Sequence, residues 1–418
     1  MKKMSELSYH YGLKMRIYPS TKQKQLIKLN SDISRTVYNK LTAIDQELYQ
    51  LNQVKLLIDT INKRIDELKQ RKTYKYLINY FYYMQNKDID SRTISNAIRN
   101  YKNAWNMCKK VYTMGTPKFH KKGYTEKYQT SAQYGKNSEM DIFSSKSGPK
   151  FLDMKHIYLP KLGRIRISGS YRKLLDRKHN IKIGTVTVSK SADDKYFVSM
   201  QLGSDTPFVE QKQPTASQIG VDLNIDNFLT TSDGFQVANP RYYRTIKAKL
   251  AKAQCKLARR QLRAKKEKRN LRDAKNYQKQ RLIVAKLQAK VRRQRNNFLH
   301  KVSITLINNH DLVVAENLRS KNMLKNHALA MSIVDVGWRT FLQMMEYKAN
   351  LYGRTFIIVD PRNTTQTCSD CGFIMGTNGS NKLGLKDREW TCPHCNVYHI
   401  RDHNAAKNIL NKGLLQIA

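Results

Sequence analysis

The sequence lacks long apolar runs and any sign of a secretion signal. A membrane-spanning helix needs roughly 20 consecutive apolar residues, and no run in this chain approaches that length. The first residues, MKKMSELSYHYGLKMRIY, are basic but contain no apolar h-region. Hydrophobic residues still make up 40% of the chain, which argues against wholesale disorder. We therefore expect a soluble, folded, intracellular protein.

Cysteine is also scarce, with six residues in 418, which is too few for a disulfide scaffold. Four of the six form two C-x2-C pairs, Cys368 with Cys371 and Cys392 with Cys395. This spacing is close to that of a zinc ribbon, in which four thiolates form a closed, structural tetrahedral site. A redox-active C-x-x-C is the alternative, but two pairs bounding a short loop favour zinc.

The remaining cysteines and the neighbouring histidines are not expected to bind this metal. Cys108 and Cys255 are interpreted as ordinary free thiols. With four thiolates present, the nearby histidines are expected to be surface or outer-shell residues: His394, His399 and His403.

Acidic residues are few, with 32 Asp+Glu against 77 Lys+Arg, which gives a formal net charge of +45. Such an excess repels itself unless a polyanion neutralises it, so nucleic acid is the predicted partner. An anionic membrane surface is the weaker alternative, because no segment has the pattern of an amphipathic anchor. Residues 241–300 contain 22 Lys or Arg but only Glu267 and Asp273 as acids.

Apolar residues at helical spacing predict two helices in this basic segment, separated by the polar residues around Asn270. A solvated coiled coil is the alternative interpretation, but it leaves the one-signed charge unexplained. We therefore favour phosphate contact. The candidate nucleic-acid-binding residues are Lys247, Lys249, Lys256, Arg259, Arg260, Arg263, Lys265, Lys266, Arg292, Arg293 and Arg295.

The order of patterns along the chain predicts several domains. An N-terminal strand ending at Pro19-Ser20 precedes a helical block from Lys22 to about Lys110, whose apolar periodicity continues through Ile58 to Leu68. Short strands over residues 151–203 are consistent with a small barrel. After a polar linker, SDTPFVEQKQPTASQ, alternating strands and helices predict an α/β domain.

Tyrosines are dense in the helical block just after its long periodic stretch: Tyr74, Tyr76, Tyr80, Tyr82 and Tyr83. Interleaved with lysine, they could stack on nucleic-acid bases, while a helix core built of tyrosines is the commoner explanation.

Three acids lie where predicted elements begin or end. Asp222 follows the apolar Ile219-Gly220-Val221, where glycine would let a phosphate or metal approach closely; Glu316 ends a strand, and Asp402 opens a helix. Each alone is usually a cap or a surface charge, as Asp226 and the turn residue Asp233 illustrate. Together, three carboxylates suit two Mg²⁺ ions in phosphodiester hydrolysis.

The C-terminal half contains, in order, GVDLNIDNFLTTSDG, NNFLHKVS, VVAENLRSKNM, GWRTFLQMMEYKANLYGRTFIIVDPRNTTQTCSDCG and WTCPHCNVYHIRDHNAAKNIL. This series resembles the TnpB family, the RNA-guided nucleases of small insertion sequences that are related to type V CRISPR effectors. MRIYPSTKQKQ, SRTVYN, GTPKFHKKG and YLPKLGRIRI are similar to the N-terminal landmarks of the family. The block 45–90 departs from it by being longer and richer in tyrosine, and Ile400 replaces an acidic residue.

The resemblance implies a multidomain α/β plus β-barrel fold. A RuvC-type, RNase H-like nuclease domain would comprise residues 211–366 and 397–418, with a zinc ribbon inserted at 367–396. An oligonucleotide-binding-like, wedge-like barrel (1–20 and 111–210) would be interrupted by a helical recognition domain (21–110). Asp222, Glu316 and Asp402 match the metal-binding catalytic acids of the family.

The activity implied is RNA-guided DNA cleavage next to a short target-adjacent motif. It would require two Mg²⁺ or Mn²⁺ ions, one structural Zn²⁺ and a structured guide RNA, with double-stranded DNA as the target. A monomer with one RNA is favoured, in the cytoplasm of a prokaryote and associated with the nucleoid. The alternatives are a nuclease-silent RNA-guided transcriptional regulator and a transposase or accessory transposition protein.

Overall fold

The computed structural model describes residues 2–54, 59–135, 140–169, 180–318, 327–384 and 386–417. The chain divides into two compact units, Met1–Phe208 and Val209–Ala418. The division falls inside the segment that the sequence predicts as a linker. Within the described ranges, no helix combines the length and apolar character needed to cross a membrane.

The first unit is built on a seven-stranded antiparallel sheet. Its strands are β1 (Tyr9–Tyr18), β2 (Glu126–Ser131), β3 (Lys150–Asp153), β4 (His156–Leu159), β5 (Gly163–Ser168), β6 (Ile181–Lys190) and β7 (Tyr196–Ser204). The order is β2-β6-β7-β1-β5-β4-β3. Because β1 pairs with both β7 and β5, the helical block that follows it is an insertion, as the sequence predicts. Closure of this sheet into a barrel stays a prediction.

The described residues of the inserted block form four α-helices: α1 (Thr21–Asn52), α2 (Asp59–Gln70), α3 (Tyr74–Tyr80) and α4 (Ser91–Lys110). Ser20 caps α1 through a reciprocal pair of hydrogen bonds with Gln23, so the predicted turn at Pro19-Ser20 is a helix start. The long periodicity is interrupted, since α1 ends at Asn52. Ile58 lies outside the described residues.

The second unit contains a five-stranded sheet of β8 (Gln218–Leu223), β9 (Asn227–Thr231), β10 (Gln236–Ala238), β11 (Leu312–Glu316) and β12 (Thr355–Val359). The order is β10-β9-β8-β11-β12. Strands β8, β11 and β12 are parallel, and β9 and β10 extend the sheet antiparallel from β8. Strands β8 and β11 lie where the sequence predicts strands, ahead of Asp222 and up to Glu316.

Five described α-helices accompany this sheet: α5 (Tyr242–Lys266), α6 (Lys275–Asn309), α7 (His327–Val336), α8 (Trp338–Tyr352) and α9 (Arg401–Leu414). Gly337 adopts a left-handed conformation (φ 75°) that separates α7 from α8. Helix α9 begins at Arg401, one residue before Asp402, which the sequence predicts to open a helix. Just ahead of it, β13 (Glu389–Thr391) and β14 (Tyr398–Ile400) form an antiparallel hairpin.

Candidate functional site

Asp222 and Glu316 lie side by side on two parallel strands. Val221 pairs with Ala315 in the β8–β11 register, so the acids are the next residues along each strand. Both residues are buried, with exposed fractions of 8% for Asp222 and 6% for Glu316.

Burial is the main cause that raises the pKa of both carboxyl groups above their ordinary range. The charge of Asp402 raises the pKa of Asp222 further, and the charge of Asp222 does the same for Glu316. A carboxylate buried beside another carboxylate is costly unless a proton or a cation neutralises it. The pair is therefore suited to bind a cation.

Helix α9 brings Asp402 to this pair because it lies directly on the sheet. A Cβ added to Gly220 of β8 would lie 2.1 Å from the carbonyl oxygen of Ala406 in α9. A Cβ on Gly413 of α9 would lie 2.4 Å from Cγ2 of Val314 in β11. The expectation that Gly220 admits a phosphate or metal is wrong, since a helix occupies that space.

Asp402 is held by three neighbouring side chains. Asn224 donates from Nδ2 to its Oδ2 at 3.3 Å, and Arg401 donates from Nε to its Oδ1 at 3.2 Å. Arg388 lies 3.6 Å from the same Oδ2 and also pairs with Asp226. The structure thus brings together all three predicted acids.

Sequence reasoning missed Asn224 and Arg388. Asn224 follows Asp222 by two residues, so the alternation of a strand would have placed both on one face. Arg388 lies 14 residues before Asp402, and no local pattern reports a contact made through the intervening hairpin. Asp226 is ion-paired with Arg388, while Asp233 accepts hydrogen bonds within its own turn, as predicted.

The donor set of the three acids fits hard divalent cations such as Mg²⁺ or Mn²⁺, which prefer oxygen ligands. Among the described residues, two groups of three or more potential metal ligands have all their ligand atoms within 4.8 Å of one another, and both groups include Cys368. The three carboxylates are therefore spread more widely than the shell of one ion.

The four predicted cysteines meet beside the β13–β14 hairpin. Sγ of Cys368 lies 3.7 Å from Sγ of Cys395, and Sγ of Cys371 lies 3.6 Å from Sγ of Cys392. A tetrahedron with Zn–S bonds of about 2.3 Å has S···S edges of about 3.8 Å. The cluster is therefore compatible with a zinc site, and all four thiols are free of disulfides.

The histidines near this cluster differ in their surroundings. His399 is buried, with Nε2 3.1 Å from Sγ of Cys368 and its ring against Trp390, so it contacts a predicted ligand. His394 stacks on Phe373, and His403 contacts the carbonyl of Ser232. The remaining thiols, Cys108 and Cys255, are also free.

The two basic helices α5 and α6 pack against each other. Gln280 of α6 donates from Nε2 to the carbonyl of Ala253 in α5 at 3.0 Å. Arg260 donates to the carbonyl of Asn276 at 2.7 Å, and Arg295 donates to that of Val334 at 2.6 Å. These two guanidinium groups therefore also hold the helices in place.

The other candidate phosphate-binding side chains of α5 and α6 are exposed. They are Lys247, Lys249, Lys256, Arg259, Arg263, Lys265, Lys266, Arg292 and Arg293. Arg263 is paired with Glu267 at 3.0 Å. The helices thus form a packed pair with a solvent-exposed basic surface.

Three family models match the chain. A helix-turn-helix domain matches residues 10–53, a model described as a probable transposase matches 185–327, and a Cas12f1-like TNB domain matches 338–409. Over the first range the structure has strand β1 and the single helix α1. The other two ranges include Asp222, Glu316, Asp402 and the four cysteines.

Relatives and one solved structure agree with these models. A "Putative RNA-guided DNA endonuclease" of Streptomyces pristinaespiralis is 37% identical over 55% of this chain and 53% of its own length. The chain thus spans about half of that relative. "Putative RNA-guided DNA endonuclease InsQ" of Escherichia coli (strain K12) is 29% identical over 70% of this chain and 71% of its own length.

The fold is similar to that of the protein in "Cryo-EM structure of the Cas12f1-sgRNA-target DNA complex". The TM-score is 0.52 at 16% identity, over 97% of this chain and 99% of that chain. The resemblance found in the sequence is confirmed by these matches. The chain is therefore similar in sequence to the TnpB family.

Proposed function

We propose that this protein is an insertion-sequence-encoded, RNA-guided DNA endonuclease that cuts next to a short target-adjacent motif. The observation that carries the proposal is the convergence of Asp222, Glu316 and Asp402 from two parallel strands and one helix. Three carboxylates, two of them buried, repel one another strongly without bound cations. A metal-dependent phosphodiester hydrolase uses such a cluster.

The nuclease domain would be RNase H-like and of the RuvC type, over residues 211–366 and 397–418, with the ribbon at 367–396. A three-stranded antiparallel meander extended by two parallel strands supports this assignment. Residues 1–20 and 111–210, which contain the seven-stranded sheet, would form the wedge-like barrel. Helices α1 to α4, within 21–110, would form the recognition domain.

Asp222, Glu316 and Asp402 would hold two Mg²⁺ or Mn²⁺ ions. Bound there, these ions would activate water and stabilise the leaving oxygen of the cleaved phosphodiester. Asp222 and Glu316 would bind these ions as carboxylates. Asn224 and Arg401 orient the Asp402 carboxylate through its two oxygens.

The four cysteines would bind one Zn²⁺ with a structural role, because a closed four-thiolate site leaves no position for substrate. The hairpin that they stabilise also carries Arg388 to Asp402. Zinc would therefore support the acidic cluster through the position of this hairpin.

Sequence specificity would come from guide RNA pairing with the DNA target, while the protein holds the paired strands through their backbones. The exposed cations of α5 and α6 would neutralise phosphates, which makes binding steeply salt-dependent. One chain with one structured guide RNA is the proposed working complex.

The test is cleavage of a matching plasmid by the RNA–protein complex that copurifies with the chain. We expect Mg²⁺-dependent cutting that Asp222→Ala abolishes and that Asp233→Ala, a turn acid outside the cluster, leaves intact. Undiminished cutting by Asp222→Ala would contradict the assignment of the acids. A nuclease-silent regulator is disfavoured by the presence of all three acids, and magnesium-dependent cutting would exclude it.

A transposase is the other alternative, and RNA dependence separates it from the proposed function. A transposase should act on transposon ends without a guide. RNase treatment of the complex should abolish guided cutting.

A further inference from the structure

The tyrosine-rich segment after α2 exposes its rings instead of burying them. Tyr80 is 59% exposed and Tyr82 is 82% exposed. The core beneath the segment is formed by Leu77 and Met84, which are 0% and 3% exposed. A helix core of tyrosines, the commoner explanation of the sequence pattern, is therefore wrong for these two residues.

The exposed rings belong to a continuous aromatic cluster. Tyr76 and Tyr80, one helical turn apart, are stacked with centroids 5.3 Å apart and planes inclined by 15°. Tyr80 contacts Phe81, which contacts Tyr83, which in turn contacts Tyr82. We call these five residues the aromatic platform.

Cations border the platform. The guanidinium of Arg71 lies 5.7 Å from the ring centroid of Tyr76 and 5.6 Å from that of Tyr80. The ammonium of Lys40 lies 4.8 Å from the ring centroid of Phe81. The Arg71 guanidinium also pairs with Glu67. The Lys40 ammonium beside an aromatic ring suits an anionic ligand that also carries aromatic rings.

One surface depression is lined in part by the platform residues Tyr76 and Tyr80, and a second depression shares Thr73 with the first. One, of about 530 Å³, is lined by Gln70, Thr73, Lys75, Tyr76, Asn79 and Tyr80. The other, of about 610 Å³, is lined by Lys69, Lys72, Thr73, Tyr74, Ser95, Ile98 and Lys102. None of the described residues that line them is acidic. Lys75 and Lys102 form no ion pair within the described part of the chain.

We propose that the aromatic platform and these two depressions bind unpaired nucleotides of an RNA, with bases stacked on Tyr80 and Tyr82 and phosphates near Lys75 and Lys102. Duplexes hide their base faces, whereas unpaired bases stack on aromatic side chains next to basic grooves. An acidic protein partner would use the cations but would leave the stacked rings without a matching ligand. The choice of RNA over single-stranded DNA rests on the proposed function, in which the chain holds its RNA before any DNA opens.

The test uses the full chain freed of RNA and measures its affinity for a short fluorescent oligouridylate at physiological and at high salt. The variant Tyr80→Ala/Tyr82→Ala should bind about 10-fold more weakly or worse. The loss should persist at high salt, which screens phosphate contacts but not stacking. Tyr80→Phe/Tyr82→Phe should bind nearly as the wild type, because both rings remain.

The matched control is Tyr112→Ala, which removes a fully exposed tyrosine (103%) outside the platform. Its RNA affinity should be unchanged, and thermal unfolding should show all variants folded. In the wild-type complex, ultraviolet crosslinks to RNA should map to residues 74–83.

Equal RNA affinity of wild type and the double alanine variant would overturn the proposal. The same assay is run with an oligodeoxythymidylate of the same length, and equal, tyrosine-dependent binding of this DNA would overturn the assignment to RNA. If the double alanine variant bound RNA as the wild type does but lost a dimer that the wild type forms, the platform would instead be a contact between two copies of the chain. Because the assay measures binding only, a failure of the nuclease assignment would not alter its outcome.

Discussion

Replacing Gly220 by alanine should displace the helix that carries Asp402. The added Cβ would lie 2.1 Å from the Ala406 carbonyl oxygen, 2.8 Å from the Leu410 nitrogen and 2.9 Å from the Leu410 Cβ. The first two neighbours are backbone atoms of α9, which cannot rotate away. Since ordinary contact begins at 3.4 Å, α9 or β8 must move by more than 1 Å.

The displacement should reduce both stability and activity. Overpacking of this kind costs about 1–3 kcal/mol, and each kcal/mol lowers the Tm of a unit of this size by about 2–4 °C. A shift of about 1 Å in a catalytic group lowers the rate roughly 100-fold. We therefore expect a loss of plasmid cleavage that is larger than the modest fall in Tm would explain.

Guided plasmid cleavage and thermal unfolding measure these two effects separately. The matched control is Gly12→Ala in β1, where an added Cβ meets nothing within 4 Å. It should change stability by less than about 1 kcal/mol and leave cleavage intact. A Gly220→Ala variant that cleaves and melts like the wild type would refute the close packing of α9 on β8.

Three further outcomes are expected. Asp222→Asn should raise the Tm in EDTA, because it removes one of two adjacent buried carboxyl groups. The same variant should abolish the rise in Tm that we expect Mg²⁺ to cause in the wild type, and an unchanged Mg²⁺ effect would contradict this. Cys371→Ser should lose bound zinc, measured by elemental analysis, whereas Cys255→Ser, on exposed α5, should keep it. Lys256→Ala combined with Arg259→Ala should reduce the slope of log affinity against log salt by about 1.4–1.8, given about 0.7–0.9 for each phosphate contact; an unchanged slope would exclude both contacts.

Much of the candidate site could be predicted because its acids follow strong local patterns. The apolar runs before Asp222 and Glu316 predict strands, and the structure forms them as β8 and β11. Asp402 lies in the first turn of a helix, as predicted. The parallel pairing of β8 and β11 then brings two acids together.

The remaining features depend on contacts between segments far apart in the chain. The absence of a side chain at Gly220 makes room for α9, a contact that forms only when both elements are folded. From the sequence alone, the same glycine is equally compatible with the close approach of a phosphate. Arg388 reaches Asp402 through a hairpin of two three-residue strands, which are too short to show an apolar alternation. Helices lie on both sides of Gly337, and the break between them comes from the left-handed backbone conformation of this residue. The pattern of apolar residues does not report that conformation.

The central claim is that an RNA held by this protein directs its cutting, and reprogramming that RNA tests it most directly. The guide segment of the RNA is replaced by one that matches a second site on the same plasmid, beside the same flanking motif. We predict that the cut moves to the second site and that Asp222→Ala cuts at neither. A cut that stays at the original site after the exchange would contradict the account.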